Sequence, residues 1–504
     1  MARFIVSHRL AGKRDRAVSQ AALNDSVSSF EAFADVEKDT APDSEQERRV
    51  LHIEADAVEI QSRRAEFGQD VLIEQEVLRY PAVALPAAAG VTITLQGLQP
   101  PAAGIGALFE ATILGGGKPL QGASVTFILA SLSGGAGTNM ASKTGQDGKI
   151  SFAYNSSLYI PNLLLIEPLN GFWQGWQVSP QTNSTYDLPA LPKAGPLGWW
   201  HNVQGMLTAA PERGAGIKVG VVDTGVGPHP YLTHVQRLGS VINGVEDENP
   251  DATNDSGTHG THVCGIIGAR PAKESGDYEG IAPAADLMCL RVFPPNAGAN
   301  QGDIAEAIDQ LSLKGADLIN LSLGGPDPSD IEHDALLAAL DVGSLCVCAA
   351  GNGYSHPLYY PAAYPETVSV VALGLIGSAP AGTEAANCMP SQPSLFGPNG
   401  LYVGNFNNAG LTLVCSASGV GIISTVPVRN SVPAPYLDMS GTSMASPMAC
   451  ASLATLLSHD QTYRSLPRDI TRAQRASATL LASLKQLGMN PMYVGRGLSQ
   501  GWPS

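Results

Sequence analysis

Ile217-Lys218-Val219-Gly220-Val221-Val222-Asp223-Thr224-Gly225 decides the architecture of the larger part of this 504-residue chain. Its apolar run, broken only by Lys218 and Gly220, reads as a strand buried on both faces, as strands in helix-covered parallel sheets are. The run ends on a carboxylate, Asp223, and a Thr-Gly turn, at the strand end where open α/β sheets form their ligand sites. Outward from it, Asp286 to Val292, Asp317 to Leu323, Leu345 to Ala350 and Val368 to Leu373 read as further strands. Asp303 to Lys314 reads as a helix, with Ile304, Ala307, Ile308 and Leu311 on one apolar face. This alternation predicts an α/β fold, a mainly parallel sheet with helices on both faces.

Three other segments carry side chains suited to chemistry. Leu437-Asp438-Met439-Ser440-Gly441-Thr442-Ser443-Met444-Ala445-Ser446-Pro447 sets a hydroxyl on a small-residue turn that leads into an apolar helical run, Met444 to Leu457. Ser443 then sits among the unpaired N–H groups of a helix start, a good seat for a nucleophile. Taken alone, such a Ser is more often a helix cap. Asp255-Ser256-Gly257-Thr258-His259-Gly260-Thr261-His262-Val263 brings two histidines onto one helical face, but a zinc protease spaces them four apart around a Glu. Ala349-Ala350-Gly351-Asn352 follows a strand, and an Asn before a Gly is by itself a common turn residue.

Together, and in this order, the four segments closely resemble the subtilase family of serine proteases, over about Gly214 to Leu457. The resemblance implies an endopeptidase with Asp223, His259 and Ser443 as catalytic residues, an acyl-enzyme intermediate, and Asn352 as side-chain donor of the oxyanion hole. It makes the first histidine catalytic, leaving His262 as a buried structural residue. Leu321-Ser322-Leu323-Gly324-Gly325 resembles the family's strand that pairs with an extended peptide, so Ser322, Leu323, Gly324 and Gly325, with Ala350 and Gly351, are the expected substrate-binding residues. None is charged, which predicts an apolar or broad preference at the primary pocket. Cys264 stands where a small Ala is usual, leaving a thiol near the site and predicting inhibition by thiol-binding metals, and Met448 stands where His is common. No cofactor is required by this chemistry. Calcium, frequent in the family, is left open because no ligand set is identifiable.

Residues 1–85 read as a small α+β unit with strands at Phe4 to Val6, Val50 to Ile53 and Val71 to Leu78, a helix capped by Asp56, and a polar loop from Glu31 to Arg48. Asp70 to Pro81 resembles the end of a subtilase propeptide, which implies an intramolecular inhibitor and self-cleavage between Tyr80 and Trp199. A Pro/Ala-rich spacer, Pro81 to Gly90, marks a boundary. Residues 90–188 read as a β-sandwich similar to Ig-like or carboxypeptidase-regulatory-like modules, with strands at Val91 to Leu95, Leu108 to Leu114, Ala123 to Leu129 and Lys149 to Phe152, and a hairpin turn at Gly145 to Gly148. The catalytic unit is expected over 195–504, with a surface-loop region at Gly374 to Gly410, an amphipathic segment at Asp469 to Leu487 and a closing stretch from Tyr493 to Trp502.

A net charge of −16 and a pI near 5.0 oppose binding to nucleic acid or to an anionic membrane surface. The first residues lack the apolar core of a secretory signal, so a cytoplasmic location is expected, with export after signal removal left open. The seven cysteines read as small buried apolar residues rather than as a disulfide framework. Two other functions remain in play: a partner-binding or signalling protein on a subtilase scaffold, and an acyl transferase that cyclises peptides. The expected partners are polypeptide substrates and the chain's own N-terminal unit.

Overall fold

A computed structural model describes residues 1–12, 16–40, 47–83, 106–428 and 432–501. The spacer after Val83, the strand read at Val91 to Leu95 and the closing Trp502 lie outside them.

Lys218–Asp223 is the centre of a nine-stranded sheet, parallel to Asp286–Arg291 on one side and to Leu318–Leu321 on the other. Leu345–Ala349 and Val368–Leu375 continue it in parallel, and antiparallel strands, Val245–Asp247 and Leu401–Val403, close the two edges. Alternation along the central strand supplies both layers. Val219 and Val221 pack with the helices His259–Gly268 and Thr442–His459, while Val222 packs with Gln301–Leu313 and Asp330–Asp341. Gly220 lets the second layer close in, since a Cβ there would meet the Leu311 side chain at 2.8 Å.

The N-terminal unit is an antiparallel sheet ordered Asp35–Thr40, Val50–Ala55, Ala2–His8, Val71–Gln75, with the helices Arg16–Glu31 and Ala57–Arg63. It corrects the sequence reading twice. The Glu31 to Arg48 loop contains an edge strand whose side chains are mostly exposed, so no apolar alternation marks it. The run Val71 to Leu78 is two strands, because the chain leaves this sheet after Gln75 and Leu78–Pro81 joins the catalytic unit instead.

Between the two units, Lys149–Asn155, Gly106–Gly115 and Ser184–Leu188 form one sheet, and Gly175–Val178, Tyr159–Glu167, Ser124–Ser131 and Thr138–Lys143 form another. Phe109, Ile113, Phe127 and Leu164 share the core that both bury. Gly148 does take a positive φ of 72°. Its turn nevertheless joins strands of different sheets, so it closes no hairpin. Trp173, in the loop before the last strands of this unit, inserts into the core of the catalytic unit.

The Gly374 to Gly410 region is less superficial than its composition implies. Buried Asn407 and Asn408 tie its backbone to Ala372 and to the Ala350–Gly353 loop. The amphipathic C-terminal segment is the helix Ile470–Ser483.

Candidate active site

Asp223 ends its strand fully buried, and its Oδ1 accepts hydrogen bonds from His259 Nδ1 and the Thr224 backbone N–H, each at 2.7 Å. His259 opens its helix, and Gly260 allows that helix to start so close, because a Cβ there would collide with the Gly225 carbonyl. A small polar network fixes the approach: Gly260 N–H donates to Thr224 Oγ1, which donates to Asp255, and Asp255 also accepts from the Thr261 backbone and hydroxyl. The roles of Asp255 and Thr261 in this network are not legible in the sequence, since they lie in contacts between segments.

His262 lies deep in the same helix and donates from Nε2 towards the Ile422 and Leu437 carbonyls at 3.0 and 3.2 Å. Burial, then the neighbouring His259, pushes its pKa down to about 3, so it is neutral. Cys264 is sealed in the core beside Cys289, whose thiol, together with burial, pushes it well above the usual range. The thiol does lie near the site, within reach of Asp223's charge, but it is completely buried, which argues against its capture by thiol-binding metals. All seven cysteines are free and buried.

Ser443 is the second residue of the helix Thr442–His459, and its backbone N–H faces the cleft. Its Oγ donates to the Ser322 carbonyl at 2.8 Å, and Ser322 Oγ returns a bond to the Ser443 carbonyl at 2.8 Å. Of the sequence-derived trio, Asp223 and His259 are joined by a hydrogen bond, Ser443 Oγ is turned to the Ser322 carbonyl, and His259 Nε2 has no hydrogen-bond partner among the described residues. Asn352 Oδ1 accepts from the Thr442 N–H at 3.0 Å and hydroxyl at 2.9 Å, which fixes the amide and aims Nδ2 into the cleft.

The cleft holds a segment of the chain itself. Leu78–Pro81 pairs antiparallel with Ala299–Asn300 on one side and with Leu323–Gly324 on the other. Ala82 N–H then donates to the Ser322 carbonyl at 3.1 Å. The Ala82 carbonyl accepts from Asn352 Nδ2 at 2.5 Å and from Ser443 N–H at 3.1 Å. Of the six expected substrate-binding residues, Ser322, Leu323 and Gly324 bond or pair with this segment, and Gly325 lies against Arg79. Ala350 and Gly351 instead shape the loop that carries Asn352, through Asn408 and Tyr359. Among the described residues no group of three or more His, Cys, Asp or Glu is placed to hold a metal ion, and no helix is long and apolar enough to cross a membrane.

A family model described as the subtilase family matches residues 214–494. The chain is 30% identical to the intracellular serine protease of Paenibacillus polymyxa over 292 residues, 57% of this chain and 79% of that protein. It is 32% identical to the minor extracellular protease Epr of Bacillus subtilis over 249 residues, 49% of this chain and 33% of that protein. Relatives with intracellular and extracellular names thus both occur. The structure of fervidolysin from Fervidobacterium pennivorans, a keratinolytic enzyme related to subtilisin, superposes with a TM-score of 0.60 at 20% identity, covering 99% of this chain and 60% of that one. Fold and relatives together define a subtilisin-like serine protease. The chain belongs to the subtilase family.

Proposed function

We propose that this protein is a serine endopeptidase using Asp223, His259 and Ser443, and that residues 1–82 are its own inhibitor and first substrate. One observation carries the reading: the Ala82 carbonyl oxygen takes hydrogen bonds from both Asn352 Nδ2 and Ser443 N–H. Two donors converging on one carbonyl next to a serine are what an oxyanion hole needs.

The step follows from the groups present. Ser443 Oγ turns from the Ser322 carbonyl to His259 Nε2. His259 takes the proton as Oγ attacks the Ala82 carbonyl carbon, and Asp223 holds the imidazole tautomer and stabilises the imidazolium. The charge that develops on the Ala82 oxygen falls on donors already in place. His259 then protonates the Val83 nitrogen, the C–N bond breaks, and Ala82 remains as an ester on Ser443 until water, activated by the same histidine, releases it. The product strand keeps its pairing on both sides, which favours inhibition after cleavage. Ala82 in the position next to the cut supports the apolar preference read from the uncharged pocket residues. Within this reading, residues 106–188 are a β-sandwich that stays with the catalytic unit.

The test is the intact mass of freshly purified wild type beside Ser443→Ala. The expected result is a wild-type fragment ending at Ala82, its partner beginning at Val83, and a single uncut mutant chain. Wild type that remains whole and also leaves added peptides uncut refutes the proposed activity. Product masses on an added peptide separate hydrolysis from acyl transfer, because only hydrolysis adds water.

A further inference from the structure

The strand in the cleft has one residue whose burial the proposed inhibition does not require. Along Leu78–Pro81 the flanking Leu78 and Tyr80 are exposed, whereas Arg79 is completely buried. Its guanidinium meets the carboxylate of Glu332, also completely buried, through Nε to Oε1 at 2.9 Å, Nε to Oε2 at 3.2 Å and Nη2 to Oε2 at 2.6 Å. Glu332 lies in the first turn of Asp330–Asp341, where its backbone N–H is held by Ser329 Oγ. Gly325 opens the way in: a Cβ there would come within 3.0 Å of Nη1 and 3.4 Å of Cδ.

The wall belongs to the catalytic unit and the arginine to the departing strand. Once that strand leaves, Glu332 faces the cleft with its partner gone. A carboxylate so placed disfavours an apolar occupant, which would desolvate it without compensation, and repels an acidic one. A planar guanidinium satisfies both oxygens at once, which a Lys ammonium, as a point charge, does less well.

We infer that Glu332 makes the protease selective for substrates with arginine three residues before the residue whose carbonyl is attacked, the place Arg79 holds relative to Ala82. This rests on the proposed endopeptidase reading and adds a second requirement to the small residue at the cut. Extended pairing with Ala299–Asn300 and Leu323–Gly324 fixes the register, so arginine one position away would point out of the cleft. The enzyme therefore reads a spaced pattern, arginine and then a small residue three positions on.

The experiment uses the full-length protein after self-processing and removal of the released residues 1–82, with fluorogenic peptides Leu-Xaa-Tyr-Pro-Ala-Val in which Xaa is Arg, Lys, Leu or Glu. The expected kcat/KM for Arg exceeds that for Leu by at least about tenfold, with Lys between and Glu lowest, as befits a charge-assisted pair. In Glu332→Gln the Arg advantage collapses while the Leu peptide is still cut, which also reports that the variant is folded. Glu332→Arg should shift preference towards the Glu peptide. Equal cleavage of the Arg and Leu peptides by wild type would falsify the selectivity and leave the protease standing, with Arg79 and Glu332 only a dock for the N-terminal unit. If no peptide is cut, the proposed activity fails and this inference with it.

Discussion

Asn352 has every polar atom of its amide committed. Oδ1 is taken by the Thr442 backbone and hydroxyl, and Nδ2 is left with one direction, towards the Ala82 oxygen. A donor held this way stabilises charge without having to reorganise. Asn352→Ala should therefore lower kcat by about 10²–10³ with little change in KM, a magnitude taken from subtilisin itself; a raised KM with kcat unchanged would mean that the side chain binds substrate and transition state alike. At this scale the sequence was most informative where chemistry is local. Asp223, His259, Asn352 and Ser443 stand in short motifs; the structure joins Asp223 to His259 and holds Asn352 against Thr442, the residue before Ser443. Glu332 has no motif, because its meaning depends on Arg79, which lies 253 positions away in the chain. Cys264 shows the opposite failure, where nearness in sequence to His259 did not mean nearness to solvent.

Among the elements, the strands and helices of the catalytic unit were legible because burial on both faces leaves continuous apolar runs. The N-terminal unit was less so: its edge strand Asp35–Thr40 has little apolar pattern, and Leu78–Pro81 takes its identity from a cleft built by other segments. What holds that unit down is an apolar contact, Ile5, Val50 and Leu72 packed in the core with Ile304, Ile308 and Ile331, together with buried polar pairs. Arg48, fully buried, bonds Asp309 at 2.6 Å and Asp334 at 2.9 Å on two neighbouring helices, and Asp334 also accepts the Leu10 N–H. Glu74 caps the helix Asp330–Asp341 by accepting from Ser329 Oγ and the Asp330 N–H. Removing one partner of such a network leaves buried charge behind and costs about 3–5 kcal/mol. Arg48→Ala in a Ser443→Ala background should thus speed amide exchange across Ala2–His8 and Val50–Ala55 while Lys218–Asp223 stays protected. Unchanged exchange in the N-terminal strands would show that strand pairing in the cleft and the apolar contact of Ile5, Val50 and Leu72 suffice to hold the unit.

Across the whole molecule the two accessory units are attached by different physics. The N-terminal unit combines three apolar side chains, Ile5, Val50 and Leu72, with ion pairs at Arg48 and Arg79, so a large part of its attachment is charge that water can replace. The 106–188 unit is anchored by Trp173 in the catalytic core and by a seam in which Gln174 donates its N–H to Asp438 Oδ1 at 2.9 Å and accepts from the Glu384 N–H. Asp438 Oδ2 has no hydrogen-bond partner among the described residues, and burial, reinforced by Glu384, pushes the Asp438 pKa up to about 8. Glu384, fully buried, is also raised, by burial. The sign of the consequence is fixed by where the proton sits. Between an unfolded pKa near 3.9 and the folded value near 8, the folded protein holds a proton that the unfolded chain has lost, so stability falls as pH rises through that window and levels off above it. Asp438→Asn keeps the shape and the Gln174 contact but removes this titration. In an inactive Ser443→Ala background, where self-digestion cannot intrude, the Asn variant should melt about a few °C above its parent at pH 8 and together with it at pH 4. Glu384, present in both, leaves each curve some residual slope. Parallel Tm curves across that range would mean that Asp438 is ionised in the fold, and that the seam is held by a buried charge rather than by a neutral acid.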